Sequence, residues 1–513
     1  MDKSNTAAQN ATSAAKPFYI TTTLPYVNAE PHIGFAMEII RADTIARYKK
    51  LLGREVFFNT GTDEHGMKLW EGAKKEGKNP QDYVDYYASK FRELTTLLDI
   101  SSDVHFIRTT DAHHKAAAQK LWQICDERGY IYKGKYSAKY CVGCELEKTD
   151  SELNEEGRCP IHPNRELELI DEENYFFALS KMSPLLKTYY EHNPELVIPA
   201  NRFNEVKAFL DRGLEDFSIS RRKDKMPWGV PVPNDDTQVM YVWFDALTNY
   251  ISTLGWPEDA NGNYLKFWLG GEKVQYCGKD NTRQQSLTWQ AMLLAAGIAQ
   301  PDKKDDYHIV IDGFINSGGQ KMSKSLGNVI SPADVITVFQ PVVAKTQITG
   351  VETDLASDVL RYILLRHTNA FEDSDLTMES MIEYYNAGLA NGLGNLASRI
   401  LTLAEKNLSE APAIPEQSIP QGFFDLLEKF EIAMAAEYAW KEVQSLDKYI
   451  QETEAFKVIK TDEAKGKELI AEYVVRLYTI ARMLNPLMPK TNALLKDLIK
   501  QNKKPEKPLF QRI

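Results

Sequence analysis

The sequence contains no long uninterrupted hydrophobic run. In its 513 residues, no stretch approaches the ~18 consecutive apolar residues of a membrane-spanning helix. The first sixteen residues are rich in alanine, serine, threonine and asparagine and include no apolar core. We therefore predict a disordered tail over 1–16 instead of a signal peptide, and no membrane partner.

Cysteine is scarce, and positive charge is not in excess. Five cysteines in so long a chain cannot form a disulfide framework, and three of them lie close together. This pattern favours a reducing compartment, the cytoplasm, and a metal site.

The formal net charge of −11 excludes a uniformly basic nucleic-acid binder. Local basic patches remain compatible with it, because binding depends on how charge is distributed.

The remaining composition is that of a globular protein with several cores. Hydrophobic residues make up 43% and charged residues 26% of the chain, which excludes a disordered or fibrous protein. At roughly 150 residues per domain, the length predicts about three domains.

The first part of the chain has an α/β pattern. A β-branched and aromatic run over 18–22 predicts a strand, followed by a proline-containing loop over 23–31. A helical pattern begins at Gly34, and a second strand is predicted over 55–58 with a loop over 60–66. This βαβ unit predicts a parallel sheet that binds ligands at the carboxyl ends of its strands. Further strands are predicted over 239–244, 273–276 and 307–311.

Two later regions have a different pattern. The segment 130–220 is rich in charge and contains the cysteine cluster, so we predict that it is an insertion. After about Leu376 the pattern becomes helical, over 379–405, 423–451 and 467–484. Proline-containing segments at 411–420 and 486–489 interrupt these stretches, and together they predict a helical bundle.

The cysteine cluster has the spacing of a zinc site. Cys141 and Cys144 are separated by two residues, fourteen residues follow, and Cys159 and His162 form a second knuckle. Tetrahedral zinc takes four nitrogen or sulfur ligands, and a site with all four filled is structural. A redox-active Cys-x-x-Cys is the alternative, which the second knuckle disfavours.

Two short motifs suit phosphate chemistry. Pro31-His32-Ile33-Gly34 lies at a strand-to-helix turn, where unpaired backbone N–H groups and a histidine donor favour phosphate. The second motif, Gly319-Gln-Lys321-Met-Ser-Lys324-Ser325, places two lysines after a glycine pair. It predicts a mobile cationic loop that closes over developing charge.

These two motifs resemble those of class I aminoacyl-tRNA synthetases. The second is identical to their KMSKS loop, and the first resembles their HIGH motif. The resemblance implies an α/β fold with a split, Rossmann-type nucleotide-binding domain. The implied divisions are a catalytic first half at 17–129, a connective insertion with the zinc knuckle at 130–220, a catalytic second half at 221–340, a linking region at 341–378 and a helical anticodon-binding domain at 379–513.

Within this class, the blocks 22–28, 61–66 and 241–250 are similar to those of the methionyl-tRNA synthetase family. That resemblance implies ligation of methionine to tRNA(Met), initiator tRNA included, with Mg²⁺-ATP as co-substrate and one structural Zn²⁺. The implied methionine-binding residues are Leu24, Tyr26, Asp63, Trp243, Tyr250 and Gln285. The implied ATP-binding residues are His32, Gly34, Asp280, Lys321 and Lys324, and the implied catalytic residues are His32, Lys321, Lys324 and Arg221. The implied anticodon-reading residues are Asn391, Asn395, Arg399 and Phe456.

Three positions depart from the family pattern. Phe35 occupies the place of the second HIGH histidine, so one nucleotide donor is absent. Gln285 replaces a pocket histidine and retains hydrogen bonding without a titratable proton. Phe456 replaces the tryptophan that stacks on the anticodon and offers a smaller ring face.

Two alternatives remain open. About ninety residues of insertion leave no room for an editing domain, which favours an amino acid with a distinctive group such as a thioether. A cysteinyl-type synthetase of compact build is the nearest enzyme alternative. A tRNA-binding or zinc scaffold without catalysis is the non-enzyme alternative. Because no appended tRNA-binding barrel follows, we expect a monomer.

Overall fold

The computed structural model describes residues 16–144, 146–148, 150–322, 327–348, 351–415 and 419–513. The predicted tail, apart from Lys16, and Ser323, Lys324 and Ser325 of the second motif lie outside these ranges.

The described chain forms eighteen strands: β1 Phe18–Thr21, β2 Val56–Thr62, β3 His105–Arg108, β4 Ile131–Cys141, β5 Leu146–Lys148, β6 Glu168–Phe177, β7 Val197–Ile198, β8 Phe217–Ser218, β9 Ser220–Arg222, β10 Pro231–Val232, β11 Asp235–Met240, β12 Glu272–Gly278, β13 Tyr307–Asp312, β14 Ile315–Ser317, β15 Gln320–Lys321, β16 Lys345–Ile348, β17 Val351–Asp354 and β18 Ser374–Asp375.

Within the same ranges it forms eighteen α-helices: α1 Ile33–Leu51, α2 Met67–Lys75, α3 Pro80–Leu97, α4 Ala112–Glu127, α5 Ser183–His192, α6 Ala200–Asp211, α7 Val242–Leu247, α8 Asn249–Ser252, α9 Trp289–Ala296, α10 Pro332–Phe339, α11 Ala356–Arg366, α12 Met378–Tyr385, α13 Asn395–Asn407, α14 Gln421–Glu428, α15 Ile432–Thr453, α16 Ala455–Val458, α17 Glu463–Leu487 and α18 Pro489–Lys500. Short π-helical segments cover Tyr264–Leu269, Gln284–Thr288 and Asn386–Gly394.

The central sheet is parallel, as the βαβ pattern predicts. Its six strands run in the order β3-β2-β1-β12-β13-β7, and every neighbouring pair is parallel. All four residues of β1 are buried, which is typical of a strand covered by helices on both faces. Because β1 and β12 are neighbours, the two halves of the split domain meet at the centre of the sheet.

The segment 130–220 adds a second sheet. Its strands run in the order β5-β4-β6-β8 and pair antiparallel. This sheet carries the cysteine cluster at the end of β4. The short strand β7 lies in the same segment but pairs with β13 in the central sheet, so the insertion is anchored to the catalytic core.

The C-terminal helices pack directly on the central domain. One continuous hydrophobic core includes side chains of β1, α1, α11 and helices α12 to α18. A buried ion pair lies in this interface: Arg361 Nη1 is 2.8 Å from Asp43 Oδ2. Arg361 also donates to the carbonyl oxygens of Pro486 and Leu487 at the end of α17. The predicted bundle is therefore confirmed as a helical region that packs on α1 and α11.

Four local predictions differ from the structure. β2 continues to Thr62 because Gly61 lies against β3, where a Cβ would lie 1.9 Å from the Ile107 carbonyl oxygen. The predicted strand over 239–244 ends at Met240, and Trp243 lies on helix α7. The predicted helix over 423–451 is two helices, α14 and α15, with Phe430 between them at a φ of 61°. Pro486 lies within α17, and the break follows at Met488.

Among the helices in the described ranges, none is both long and apolar enough to cross a lipid bilayer.

Candidate active site

A cavity of about 400 Å³ opens at the carboxyl ends of β1, β12 and β13. This is where a parallel sheet of this type is expected to bind ligands. Ten of the predicted methionine- and ATP-binding residues line it: Leu24, Tyr26, His32, Gly34, Asp63, Trp243, Tyr250, Asp280, Gln285 and Lys321. Sequence positions from both halves of the split domain therefore converge on one cavity.

His32 caps the first turn of α1. Its Nδ1 accepts a hydrogen bond from the backbone N–H of Gly34 at 3.0 Å, and a Cβ at position 34 would lie 2.7 Å from the same ring. Burial, and then the charge of Lys321, lower the pKa of His32 to about 4. The neutral ring accepts at Nδ1, so its proton is on Nε2, which is a hydrogen-bond donor.

Lys321 lies at the other wall of the cavity, on a tight hairpin. Strands β14 and β15 pair antiparallel across Gly318 and Gly319, whose φ values are 63° and 74°. Two successive positive φ angles are typical of a primed hairpin turn and require glycine. The Lys321 ammonium lies 4.5 Å from the centre of the Phe314 ring. Lys324, three residues further on, lies outside the described residues.

Three carboxylic acids line the same part of the cavity, and only Asp280 was predicted from the sequence. Glu38 accepts from the backbone N–H of Thr23 at 2.7 Å, and its pKa is raised well above the usual value by burial and by Asp312. Asp312 pairs with Arg41 at 2.9 Å, yet burial raises its pKa to about 6. Glu38 follows Gly34 by one helical turn, a spacing that could have identified it.

Tyr26 and Asp63 are held together at the edge of the sheet. The two residues form an isolated parallel bridge, in which the backbone N–H of Asp63 donates to the Pro25 carbonyl at 2.9 Å. The Tyr26 hydroxyl donates to the carbonyl oxygen of His65 at 2.7 Å. Asp63 is 7% exposed and lines the cavity, so its carboxylate is largely shielded from solvent.

Aromatic side chains form the deep end of the cavity. Trp243 on α7 and Tyr250 on α8 line it with Leu24 and Gln285. The backbone carbonyl of Tyr250 accepts from the Tyr19 hydroxyl at 2.9 Å, which fixes α8 on β1. An aromatic pocket of this kind favours a polarizable group such as a thioether.

A buried network missed by the sequence analysis joins the Asp63 loop to α7. Asp245 Oδ2 lies 2.6 Å from His65 Nδ1, and Asp245 Oδ1 lies 2.9 Å from His114 Nε2. Burial opposes ionisation of Asp245, but the charge of His65 and hydrogen bonds from both histidines lower its pKa to about 2. Asp245 and His65 were both within the recognised blocks, but their contact links residues far apart in sequence.

Arg221 does not line the cavity. It is buried, and its Nη1 donates to Ser218 Oγ and to the Ser220 carbonyl, each at 2.8 Å. Its guanidinium also stacks on the rings of Tyr140 and Tyr241. The predicted role of Arg221 near phosphate therefore remains a prediction.

The predicted zinc ligands converge at one point. Ligand atoms of Cys141, Cys144, Cys159 and His162 all lie within 4.8 Å of one another. Cys144 Sγ lies 3.5 Å from Cys159 Sγ and 3.2 Å from His162 Nδ1. Three sulfurs and one nitrogen at such spacing suit a tetrahedral Zn²⁺ site. A Cβ at Gly143 would lie 2.6 Å from the His162 ring, so glycine permits this approach. Gly143 and Cys144 also line the cavity.

The predicted anticodon residues lie on the helical bundle. Asn391 lies in the π-helical segment before α13, Asn395 begins α13, and both side chains are exposed. Arg399, one turn further along, is 2.5 Å from Asp447 on α15. Phe456, on α16, is 41% exposed. The exposed side chains among them, Asn391, Asn395 and Phe456, are available to a partner.

Comparisons with known proteins agree with this arrangement. A family model described as tRNA synthetases class I (M) matches residues 18–168 and 163–401. The methionine--tRNA ligase of Fusobacterium nucleatum is 38% identical over 492 residues, covering 93% of this chain and 73% of that protein. The ligase of Rhizobium meliloti is 36% identical over 502 residues, covering 94% and 92%. A structure of Mycobacterium tuberculosis methionyl-tRNA synthetase in complex with methionyl-adenylate has a TM-score of 0.84 at 33% identity, covering 94% of this chain and 93% of that one.

A split parallel sheet, a histidine-capped first helix and a lysine hairpin at the same cavity define the chain as a class I aminoacyl-tRNA synthetase. The family model is the one described by the letter M, for methionine, and both sequence relatives are methionine--tRNA ligases. Within the class, the chain belongs to the methionyl-tRNA synthetase family.

Proposed function

We propose that this protein is a methionine--tRNA ligase that activates L-methionine with ATP and transfers it to the 3′ end of tRNA(Met), including initiator tRNA. The observation that supports this most strongly is one cavity that joins an aromatic pocket to a wall with a histidine N–H donor and a lysine. Trp243 and Tyr250 line one end, and His32 and Lys321 line the other. A ligand spanning both ends would carry an apolar side chain and a phosphate.

In the first step, a methionine carboxylate oxygen attacks the α-phosphorus of ATP, and pyrophosphate leaves. The carboxylate is already anionic, so no general base is required. We assign catalysis to positioning and to stabilisation of charge on the phosphate oxygens. The Nε2–H of neutral His32 donates to phosphate, while Lys321 and Lys324 bring positive charge to the leaving group. Gly34 allows the nucleotide to approach the start of α1, and Asp280 binds the ribose.

Methionine would be oriented by its two ends. Asp63 accepts from the ammonium group, and Leu24, Tyr26, Trp243 and Tyr250 enclose the side chain. Gln285 contributes an amide at the deep end. An apolar pocket alone discriminates about 10- to 200-fold per methylene, so a polar contact to sulfur would add selectivity.

In the second step, the ribose hydroxyl at the 3′ end of the tRNA attacks the carbonyl carbon of methionyl-adenylate. The hydroxyl loses its proton as its oxygen bonds to the carbonyl carbon. The bond between that carbon and the phosphate oxygen breaks, and AMP leaves with its phosphorus–oxygen bond intact. We propose that residues 130–220 guide this end of the tRNA, since Gly143 and Cys144 border the cavity. Residues 379–513 would read the anticodon through Asn391, Asn395, Arg399 and Phe456, because amides, guanidinium groups and aromatic faces suit splayed bases. The linking region at 341–378 would join these two functions.

Two metal ions accompany this proposal. Cys141, Cys144, Cys159 and His162 would hold a Zn²⁺ ion that stabilises the knuckle, with no coordination position open for substrate. Mg²⁺ would enter as the counterion of ATP and not as a resident cofactor.

The test is amino-acid-dependent exchange between ATP and labelled pyrophosphate. We expect exchange with methionine, and much weaker exchange with cysteine, leucine and valine at equal concentration. Exchange that depends on cysteine instead would identify the cysteinyl-type alternative. Absence of exchange with every amino acid, in protein that binds tRNA, would favour a non-catalytic scaffold.

A further inference from the structure

A series of side-chain hydrogen bonds begins at residues that do not line the cavity and ends at Gln285, which does. The Trp289 indole N–H donates to the Tyr307 hydroxyl oxygen at 3.2 Å. The Tyr307 hydroxyl in turn donates to Gln275 Oε1. Gln275 Nε2 then donates to Gln285 Oε1. Of these four residues, only Gln285 reaches the cavity.

The chain has a fixed direction. An indole N–H can donate but cannot accept, so the polarity of the series is set at its first member, Trp289. The Tyr307 hydroxyl accepts from Trp289 and also from the Gln290 side chain, and it donates to Gln275, which in turn donates to Gln285. The carbonyl oxygen of Gln285 is consequently occupied as an acceptor, and its amide NH₂ is directed away from Gln275.

All four members are inaccessible to water. Trp289 and Gln275 are 0% exposed, Gln285 is 1% exposed and Tyr307 is 2% exposed. A buried polar group that loses its partner costs the full penalty of desolvation, so the Gln285 amide is held in one orientation. The Gln285 backbone is also fixed, because its carbonyl accepts from Gln290 Nε2 at 3.2 Å.

The NH₂ of Gln285 lies on the cavity side of the series, next to Tyr250. Burial raises the pKa of Tyr250 well above its usual value, and a hydrogen bond that the Gln285 NH₂ donates to the Tyr250 hydroxyl oxygen acts in the opposite direction. A thioether sulfur is a weak hydrogen-bond acceptor and never a donor. A donor at this point suits sulfur, whereas a carbonyl oxygen there would face the sulfur lone pairs.

We propose that Tyr307 and Gln275 are positioning residues that turn the Gln285 amide toward the substrate and so set the discrimination between a thioether sulfur and a methylene group. This inference rests on the proposed function, since it names how the same pocket recognises methionine. Because an amide does not titrate, the recognition is independent of pH over the range in which a histidine would change charge.

The experiment compares methionine with norleucine, in which a methylene replaces the sulfur, as substrates for ATP–pyrophosphate exchange. In Tyr307→Phe the hydroxyl that fixes Gln275 is absent, and the Gln285 amide is free to turn. We expect the ratio of kcat/KM for methionine over norleucine to fall about 3- to 10-fold, the loss of one net hydrogen bond. The change should appear in KM for methionine, with kcat little altered.

Tyr276→Phe is the matched control. Tyr276 lies next to Gln275 on β12, is 1% exposed, and its hydroxyl has no hydrogen-bond partner within the described part of the chain. Removing it deletes an equally buried hydroxyl outside the series, so the ratio should stay within about twofold of the original. Gln275→Met, which removes both donor and acceptor at similar volume, is the second test and should lower the ratio at least as far as Tyr307→Phe.

The outcomes separate this inference from the proposed function. If the unaltered protein shows no methionine-dependent exchange, the proposed function fails. If exchange is present but Tyr307→Phe and Gln275→Met keep the original ratio, or if Tyr276→Phe lowers it equally, the positioning role is wrong.

Discussion

The carboxylate of Asp245 lies 2.6 Å from Nδ1 of His65, and this contact joins the two structural elements that bear on the proposed methionine site. His65 follows Asp63 by two residues, and Asp245 follows Trp243 by two residues. The position of the carboxylate that would bind the substrate ammonium is thereby tied to the position of the ring that would cover its side chain.

Asp245→Asn should weaken methionine binding. Asparagine can accept from one histidine but presents N–H₂ to the other, so one buried hydrogen bond is lost and the Asp63 loop is free to shift. We expect KM for methionine in exchange to rise about 10-fold or more, in line with the cost of a buried charge-assisted hydrogen bond. Asp235→Asn is the control, because Asp235 also has a pKa lowered to about 2 but is hydrogen-bonded to Lys133, Tyr175 and Thr237 and to neither histidine. Equal KM values for the Asp245 and Asp235 variants would contradict this account.

Removing a lysine of the second motif should slow the first chemical step. We expect Lys324→Ala and Lys321→Ala each to reduce the single-turnover rate of adenylate formation on the order of 100-fold, since one transition-state donor is typically worth about 2.7–4 kcal/mol. Affinity for methionine should change little. Lys279→Ala is the matched control: Lys279 also lies 4.5 Å from the Phe314 ring but is paired with Asp373 at 2.7 Å. An unaltered rate in both motif variants would refute the assignment.

The neutral state of His32 predicts a specific pH dependence of stability. The pKa of His32 is about 4 in the folded protein, against 6.5 for an ordinary histidine. Between these values the unfolded chain binds more protons at this position, so the free energy of unfolding decreases as pH falls from about 6.5 to 4. His32→Asn retains a side-chain oxygen for the Gly34 N–H and does not titrate. Urea unfolding at several pH values should show a smaller decrease in this variant, and an identical pH profile would be evidence against a buried neutral histidine.

The four knuckle residues predict one tightly bound zinc per chain. Cys141→Ala should lose the ion, as measured by elemental analysis of the purified protein, and should lower the thermal stability of the insertion. Cys125→Ala is the control, because Cys125 is a buried free thiol outside the cluster. Protein that is fully active and free of metal would show that the knuckle does not depend on the ion, and zinc retained equally in both variants would show that Cys141 is not a ligand.

The sequence predicts the parts of the fold that depend on local patterns. The β-branched runs at Phe18, Lys273 and Tyr307 mark central strands because a parallel sheet buries both faces. The cysteine spacing predicts the knuckle because four ligands must reach one point. Gly61 was misassigned to a loop, since glycine marks both turns and close approaches, and only the contact with Ile107 distinguishes them.

The features that sequence does not predict are contacts between distant segments. Asp245 meets His65 and His114 only after three separate elements have packed together. The same holds for Arg41 and Asp312, which join α1 to the end of β13. Arg221 makes contacts of the same kind, since its guanidinium stacks on the rings of Tyr140 and Tyr241, and its predicted contact with phosphate stays a prediction.

A crystal structure of the protein soaked with methionine and a non-hydrolysable ATP analogue tests the central claim most directly. We expect the methionine side chain between Trp243, Tyr250 and Gln285, its ammonium on Asp63, and the phosphates between His32 and Lys321. A structure in which this cavity stays empty while both ligands bind elsewhere would contradict the account.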